Sequence, residues 1–115
     1  MRVVAIVQAR TGSTRLPGKV LQDLAGRTML ARVIRRTARA SLLDEVVVAT
    51  TQSDQDDPVV AECRRLGAAW FRGNEHDVLD RYFATSEALR AELVVRVTSD
   101  CPLIDPALID RVVAS

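Results

Sequence analysis

Long hydrophobic runs and paired cysteines are missing from this sequence. No apolar stretch approaches the roughly 20 residues that a membrane-spanning helix needs, and Met1–Ala5 leads into a charged loop rather than a signal-peptide core. Cys63 and Cys101 lie far apart and form no CxxC pair, which favours reduced thiols over a disulfide framework or a zinc site. These absences predict a folded cytoplasmic protein that binds no membrane.

Aromatic residues and excess charge are also scarce, which argues against nucleic-acid binding. The chain is 3% aromatic and its net charge is +1, whereas nucleic-acid-binding surfaces stack bases on aromatic rings and concentrate positive charge. An arginine-rich helix predicted between Arg27 and Arg39 is the feature that would favour nucleic acid. His76 has no second histidine or cysteine nearby at metal spacing, so we do not expect it to bind zinc.

The remaining composition is that of one globular domain. The 115 residues are 48% hydrophobic and 27% charged, close to globular averages. The charge is unevenly distributed: residues 1–40 carry +8, residues 41–80 carry −6 and the rest carry −1. The basic third contains the first loop, which makes that loop the first candidate for an anionic ligand.

Four apolar, β-branched segments alternate with helical patterns. The predicted strands are Val3–Val7, Glu45–Thr50, Ala69–Phe71 and Leu93–Val97. The predicted helices are an amphipathic one from Met29 to about Thr37, one capped by Asp57 before Pro58 and ended by Gly67, one from Asp77 to about Leu89, and one starting at Asp105–Pro106. This alternation predicts an α/β fold with a mainly parallel sheet, helices on both faces and ligands at the carboxyl ends of the strands.

The fourth predicted helix runs to Ser115 without a glycine or proline terminator. We therefore expect residues 1–115 to form a single nucleotide-binding domain that is the front portion of a longer one. The sequence contains no internal repeat, low-complexity tract or linker that would divide this domain.

The loop after the first strand, residues 8–19, combines cations, glycines and hydroxyls. Glycines let backbone N–H groups approach an anion closely, and serine and threonine hydroxyls add donors. Arg10, Arg15 and Lys19 can offset the charge of a polyphosphate. The composition therefore suits a triphosphate, although a solvated surface loop with glycine turns would explain it equally well.

The spacing within this loop excludes two familiar phosphate motifs. Five residues rather than four separate Gly12 from Gly18, and Val20 stands where a P-loop has its magnesium-binding serine or threonine. The GxGxxG dinucleotide pattern is absent as well.

The complete string ARxGSxRLPGKxL, from Ala9 to Leu21, resembles the signature of sugar cytidylyltransferases. That family includes 3-deoxy-manno-octulosonate and acylneuraminate cytidylyltransferases. The sequence looks most like the branch named for spore coat polysaccharide biosynthesis, and the resemblance continues through Val48–Thr50, Arg72–Tyr82 and Arg96–Pro102. It therefore covers essentially the whole chain.

The resemblance implies a Rossmann-like, three-layer nucleotide-diphospho-sugar transferase fold, of which this chain would be the N-terminal portion. It implies a cytoplasmic transferase that uses Mg²⁺ and CTP, moves the cytidylyl group to an acidic or related sugar for surface polysaccharide biosynthesis, and releases pyrophosphate. The expected partners are CTP and a sugar acceptor whose identity the sequence leaves open. It also leaves the oligomeric state open, with a homodimer as one alternative.

Site residues follow from the same resemblance, position by position. Ala9 and Arg10 would place the cytosine and the α-phosphate, and Arg15 and Lys19 would hold the triphosphate and the leaving pyrophosphate. Arg10 and Lys19 are the implied catalytic residues, and the implied nucleotide-binding set is Ala9, Arg10, Gly12, Ser13, Arg15, Lys19 and Arg72.

Asp100 follows the fourth predicted strand and matches the family carboxylate that binds magnesium, a cation that prefers oxygen ligands. The alternative is an ordinary turn carboxylate before Pro102. In the family a further metal carboxylate comes from beyond position 115. A noncatalytic nucleotide- or partner-binding module is therefore the alternative function.

The acidic residues around the second and third helices have simpler explanations. Asp77, Asp80 and Arg81 continue the family loop that contains Arg72, but Asp77 can equally cap a helix and pair with Arg81 on a solvent-exposed face. We expect Asp54, Asp56 and Asp57 to be structural, because acids at a helix amino terminus are stabilised by the helix dipole.

Overall fold

The computed structural model describes residues 2–11, 21, 23–24 and 26–98. The strands are β1 Val3–Gln8, β2 Asp23–Leu24, β3 Arg27–Thr28, β4 Glu45–Thr51, β5 Ala69–Gly73 and β6 Leu93–Thr98. The helices are α1 Met29–Ala38, α2 Asp57–Leu66 and α3 Val78–Ala88, with a short 3₁₀ helix Asp54–Asp56 directly before α2.

The main sheet has four parallel strands in the order β5-β4-β1-β6. β1 is therefore central, with Gln8 in register with Ala49 of β4 on one side and with Thr98 of β6 on the other. From β1 the chain proceeds outward to β4 and β5 and then returns across β1 to β6, so the strand order reverses beside β1. Open α/β sheets bind ligands outside the carboxyl ends of the strands at such a reversal.

Helices cover both faces of this sheet, which confirms the predicted three-layer α/β architecture. On one face, α1 and α2 pack with side chains such as Leu30, Val33 and Val59 against Ala5 and Val7. On the opposite face, α3 packs through Tyr82 against Val4, Ile6, Val47 and Ala49. Consecutive residues of β1 are thus buried on alternate sides, as expected for a central strand.

Two helix boundaries follow from the local sequence as predicted. Gly67 ends α2 with φ 68°, a left-handed conformation that favours glycine. The Asp77 side chain caps α3 by accepting a hydrogen bond from the Asp80 N–H at 3.0 Å.

The predicted cap of α2 is wrong, because Asp57 is the first residue of the helix and Asp56 occupies the capping position. Pro58 still lies in the first turn, where its missing N–H is harmless. The side chain of Asp56 makes no capping hydrogen bond.

All four predicted strands are present, and each extends one or two residues further toward its carboxyl end. The β2–β3 hairpin was not predicted; Gly26, with φ 90°, lies in its turn. The predicted fourth helix, from Asp105, lies outside the described residues. Within the described part of the chain, no helix has the length and apolar character needed to cross a membrane.

Candidate functional site

The carboxyl ends of the parallel strands form one edge of the sheet, which we call the carboxyl edge. Ala9 and Arg10 follow β1 there, and the Ala9 N–H continues the β1–β4 pairing by donating to the carbonyl of Ala49 at 3.0 Å. Ala9 is buried and Arg10 is half-buried. The first two predicted site residues therefore lie at the reversal of strand order.

Asp56 connects this loop to the end of β4. It is 2% exposed, and its Oδ1 accepts hydrogen bonds from the Thr11 N–H at 2.6 Å and the Thr11 hydroxyl at 3.0 Å. Its Oδ2 accepts a hydrogen bond from the hydroxyl of Thr51, the last residue of β4. The Thr11 hydroxyl also lies 2.6 Å from the carbonyl oxygen of Gln55. Both carboxylate oxygens are thus occupied by the protein itself.

Arg72, in β5, is a predicted nucleotide-binding residue that makes several hydrogen bonds within the chain. Its Nε donates to the Thr51 carbonyl at 2.7 Å, its Nη2 to the Ser53 carbonyl at 2.8 Å and its Nη1 to Asp57 Oδ1 at 2.8 Å. These contacts tie β5 to the connection between β4 and α2. Its neighbour Phe71 packs on the α3 side of the sheet, so Arg72 belongs to the other side by strand alternation.

Arg81, in α3, is fully buried, so the expectation that it pairs with Asp77 on a solvent-exposed face is wrong. Its Nη1 donates to the carbonyl oxygen of Asn74 and lies 3.4 Å from that of Glu75. Its Nε and Nη2 have no hydrogen-bond partner in the described part of the chain. Buried unpaired donors are costly, so these two donor nitrogens mark a candidate ligand position.

The guanidinium of Arg81 lies close to charges from two other segments. Burial lowers its pKa, and the nearby charge of Arg10 lowers it further, while Asp56, Tyr82 and Asp77 act in the opposite direction. Arg10 and Arg81 are therefore two neighbouring cations, and a bound anion would relieve their repulsion.

The packing of Arg81 also requires a small residue at the end of β5. A Cβ atom at Gly73 would lie 2.9 Å from Arg81 Cγ and 3.3 Å from Arg81 Cα, closer than normal contact. Glycine at this position lets α3 approach β5 closely enough to place Arg81 beside the carboxyl edge.

Gln8, the last residue of β1, adds a second unsatisfied group. Both polar atoms of its amide are buried and have no hydrogen-bond partner within the described residues. Because Val4 and Ile6 face α3, strand alternation directs Gln8 to the same face as Arg81. A donor and acceptor of this kind can bind another polar group, so Gln8 is a candidate site residue that the sequence did not reveal. Arg81, which the resemblance placed in the continuation of the Arg72 loop, is a second candidate.

The remaining predicted site residues, Gly12, Ser13, Arg15, Lys19 and Asp100, lie outside the described residues. Of the predicted set, the structure places Ala9 and Arg10 next to each other at the reversal of strand order. It places Arg72 at the same edge, on the α1–α2 face of the sheet where Ala9 is also buried. Thr98, two positions before Asp100, is in register with Gln8, two positions before Arg10. The chain thus leaves β1 and β6 side by side.

The described residues do not by themselves supply a metal site. Among residues 2–11, 21, 23–24 and 26–98, no three His, Cys, Asp or Glu side chains come together as a metal-binding group. The buried carboxylate of Asp56 already accepts three hydrogen bonds. Cys63 is buried, and burial raises the pKa of its thiol to about 11, so it is a protonated core residue rather than a ligand.

A model of the cytidylyltransferase family matches residues 4–115. The chain belongs to this family. The predicted resemblance to sugar cytidylyltransferases and to the spore coat polysaccharide branch is thereby confirmed, since named relatives come from both groups.

Two relatives and one solved structure illustrate the match. The chain is 42% identical to the 3-deoxy-manno-octulosonate cytidylyltransferase of Geobacter sulfurreducens, covering 99% of this chain and 45% of that protein. It is 39% identical to the spore coat polysaccharide biosynthesis protein SpsF of Bacillus subtilis, covering 94% and 47%. A CMP:2-keto-3-deoxy-manno-octonic acid synthetase solved with CTP superposes with TM-score 0.89 at 27% identity, covering 99% and 46%.

The matches cover only part of each relative, which limits what can be said of this chain from them. The chain spans about half the length of the curated relatives it matches. The CTP belongs to the solved synthetase, and the sugar names belong to the relatives. For this chain itself, the comparisons show the family and the fold.

Proposed function

We propose that this chain holds the CTP of a cytidylyltransferase that transfers a cytidylyl group to an acidic or related sugar and releases pyrophosphate. The observation that carries the proposal is the position of Ala9 and Arg10 at the carboxyl edge beside the reversal of strand order. The solved synthetase with CTP, which shares this fold, supports the choice of nucleotide. The spore coat relative supports a role in surface polysaccharide biosynthesis.

The described charges suit a polyphosphate. Arg10 is half-buried at the carboxyl edge, and Arg81 adds a second positive charge nearby within the protein. Transfer at phosphorus gains most from positioning and from charges that neutralise the transferring and leaving groups. In this proposal the oxygen of a sugar hydroxyl forms a bond to the α-phosphorus, and the bond between that phosphorus and the pyrophosphate oxygen breaks. The hydroxyl proton is lost to solvent. Arg10 faces the α-phosphate, and Lys19 and Arg15 face the leaving pyrophosphate.

Further roles rest on the sequence resemblance. Gly12 and Ser13 contribute backbone and hydroxyl donors, Arg72 contributes to the nucleotide-binding loop, and Asp100 is a Mg²⁺ ligand. Mg²⁺ would offset phosphate charge when bound, and carboxylate oxygen is the ligand it prefers. The cytoplasmic location and a homodimer are part of the same proposal.

Calorimetric titration of CTP with Mg²⁺ into the parent chain and into Lys19→Ala tests the nucleotide site. We expect the variant to bind about tenfold or more weakly, because a charge-assisted contact to phosphate is lost. Arg35→Ala is the matched control, since it removes one cation from the exposed face of α1. Equal affinity of parent and Lys19→Ala would contradict the assigned role.

Measuring pyrophosphate release in the same samples separates catalysis from binding alone. The alternative is a noncatalytic nucleotide- or partner-binding module. It predicts CTP binding without pyrophosphate release when a sugar acceptor such as 3-deoxy-manno-octulosonate is added. Release in the parent that Lys19→Ala abolishes would support the transferase.

A further inference from the structure

Asp56 occupies a helix-capping position but does not cap the helix. Aspartate at the position before a helix normally accepts a hydrogen bond from a backbone N–H two or three residues later. In α2, no such bond is made by Asp56. Asp56 is nevertheless only 2% exposed, and a buried carboxylate is costly unless its oxygens are hydrogen-bonded.

Within the described residues, the carboxylate of Asp56 accepts its hydrogen bonds from the loop after β1 and from the last residue of β4. Oδ1 binds the backbone N–H and the hydroxyl of Thr11, 45 residues earlier in the chain. Oδ2 binds the hydroxyl of Thr51 at the end of β4. The side chain therefore joins the loop after β1 to the sheet instead of serving its own helix.

This contact fixes the backbone on one side of Arg10. On the other side, the Ala9 N–H donates to the carbonyl of Ala49 at 3.0 Å. Arg10 thus lies between two residues whose backbone N–H groups make long-range hydrogen bonds, Ala9 to the Ala49 carbonyl and Thr11 to the Asp56 carboxylate. Reactions that depend on positioning are sensitive to shifts of about 1 Å, which can cost about a hundredfold.

We propose that Asp56 is a positioning residue that fixes the backbone of Arg10 for binding the nucleotide phosphates. The inference rests on the proposed function, because it gives Arg10 a phosphate to bind. Asp56 acts through Thr11 and Thr51 rather than by touching the nucleotide.

Loss of the negative charge of Asp56 and loss of its hydrogen bonds should change the affinity for CTP in opposite directions. The negative charge of Asp56 acts on Arg81, so it partly neutralises the positive charge of Arg10 and Arg81 that would attract an anion. Asp56→Asn can keep the Thr11 N–H bound to its oxygen, and its amide N–H can donate to the Thr51 hydroxyl, while the charge is lost. Asp56→Ala removes both contacts. If positioning is the role, the asparagine variant binds CTP within about threefold of the parent or more tightly, and the alanine variant about tenfold or more weakly.

Amide hydrogen exchange of Thr11 in the nucleotide-free chain tests the contact without relying on CTP. We expect exchange to be faster in Asp56→Ala than in the parent and nearly unchanged in Asp56→Asn. Asp54→Ala, which removes an exposed acid from the 3₁₀ helix, is the control and should match the parent. Thr51→Val keeps the Thr11 contact but removes the second partner of Asp56, and it provides a milder variant should Asp56→Ala not fold.

A double-mutant cycle with Arg10→Ala distinguishes positioning from general stabilisation. If Asp56 acts through Arg10, Asp56→Ala should weaken CTP binding much less in the Arg10→Ala background than in the parent. A purely structural role would lower the melting temperature in both backgrounds without changing the affinity of the folded protein. Equal losses in both backgrounds, or unchanged Thr11 exchange in Asp56→Ala, would overturn the inference.

Failure of the proposed function would give a result that differs from failure of the positioning role. If the parent itself does not bind CTP, the nucleotide assignment fails, and the nucleotide-binding role of Asp56 fails with it. The exchange of Thr11 then still reports whether Asp56 holds the loop after β1.

Discussion

The two edges of the parallel sheet use charged side chains in different ways. At the amino edge, Arg2 donates from Nε to the Leu89 carbonyl at 2.6 Å and forms an ion pair with Glu45. Asp44 accepts from the Val3 N–H at 2.6 Å. These groups are half-buried or exposed, and each contact joins the start of β1 to a neighbouring segment at this edge. At the carboxyl edge, Asp56 and Arg81 are buried, and Arg81 retains two donors without partners among the described residues.

We propose that this difference separates groups that stabilise the fold from groups that bind a ligand. Half-exposed ion pairs contribute little to stability individually and need no further partner, because water solvates what remains. Buried charges are stabilising only when fully paired, so unpaired donors persist where a ligand completes them. We therefore expect variants at the carboxyl edge to change nucleotide affinity and variants at the amino edge to change stability alone.

The largest effect on affinity is expected from Arg81→Met. The variant should bind CTP about tenfold to a hundredfold more weakly, because a positive charge next to Arg10 is lost. Its thermal stability should change little, since removal of a buried charge offsets the lost hydrogen bond to Asn74. Calorimetry and thermal melts of the variant beside Arg35→Met measure both quantities. A large loss of stability with unchanged affinity would make Arg81 a structural residue.

Gly73→Ala should combine a loss of stability with a loss of affinity. Its Cβ would meet Arg81 at 2.9 Å, so either α3 or the strand must shift, and we expect a cost of about 1–3 kcal/mol in urea unfolding. Gly67→Ala is the matched comparison: it has open space around it but a φ of 68°, which should cost about 1–2 kcal/mol. Only Gly73→Ala should weaken CTP binding, because only Gly73 supports Arg81. Equal affinity in the two variants would contradict the link between β5 packing and the site.

Glu62 shows how a buried carboxylate behaves when a cation pairs with it directly. Arg65 donates hydrogen bonds to both carboxylate oxygens of Glu62, and the Thr28 hydroxyl donates to Oε2. The pKa of Glu62 lies below the ordinary value of 4.5, mainly because of the hydrogen bond from Arg65, although burial acts to raise it. A lowered pKa stabilises the fold above the unfolded value, and this contribution is lost as the pH falls through the folded value.

Glu62→Gln should therefore destabilise the chain by about 1 kcal/mol near neutral pH. The difference from the parent should shrink as the pH falls below 4.5, which urea unfolding at a series of pH values would measure. CTP affinity should be unchanged. A stability difference that persists at the lowest pH would show that the charge of Glu62 is not the cause.

Most of the fold was predictable because its signals are local. Buried parallel strands need apolar residues on both sides, and Val3–Val7 and Glu45–Thr50 supplied them. The end of α2 at Gly67 was encoded by one residue with an unusual backbone requirement. The β2–β3 hairpin was missed because two-residue strands contain too few positions to form a pattern.

The site was less predictable because its contacts are long-range and because α3 buries polar residues and exposes apolar ones, the reverse of the usual pattern. In α3 the buried residues include Arg81 and Thr85, whereas Leu79 and Phe83 are 70% and 61% exposed. A search for an apolar buried face therefore assigns Arg81 to solvent. The Asp56–Thr11 contact joins residues 45 positions apart, and nothing in either local sequence indicates it. A resemblance found Arg10 because it compares whole motifs instead of local patterns.

The smallest effect is expected at the amino edge, from Arg2→Ala. The variant loses the hydrogen bond to Leu89 and the ion pair with Glu45. Because the side chains of Arg2 and Glu45 are 39% and 32% exposed, we expect about 0.5–1 kcal/mol of destabilisation. Added salt should reduce the difference from the parent, because solvent ions screen a half-exposed pair. CTP affinity should stay equal to that of the parent, since Arg2 lies at the opposite edge from Arg10. Weaker CTP binding by Arg2→Ala at full folding would mean that the two edges are coupled through β1, and the division of roles between them would fail.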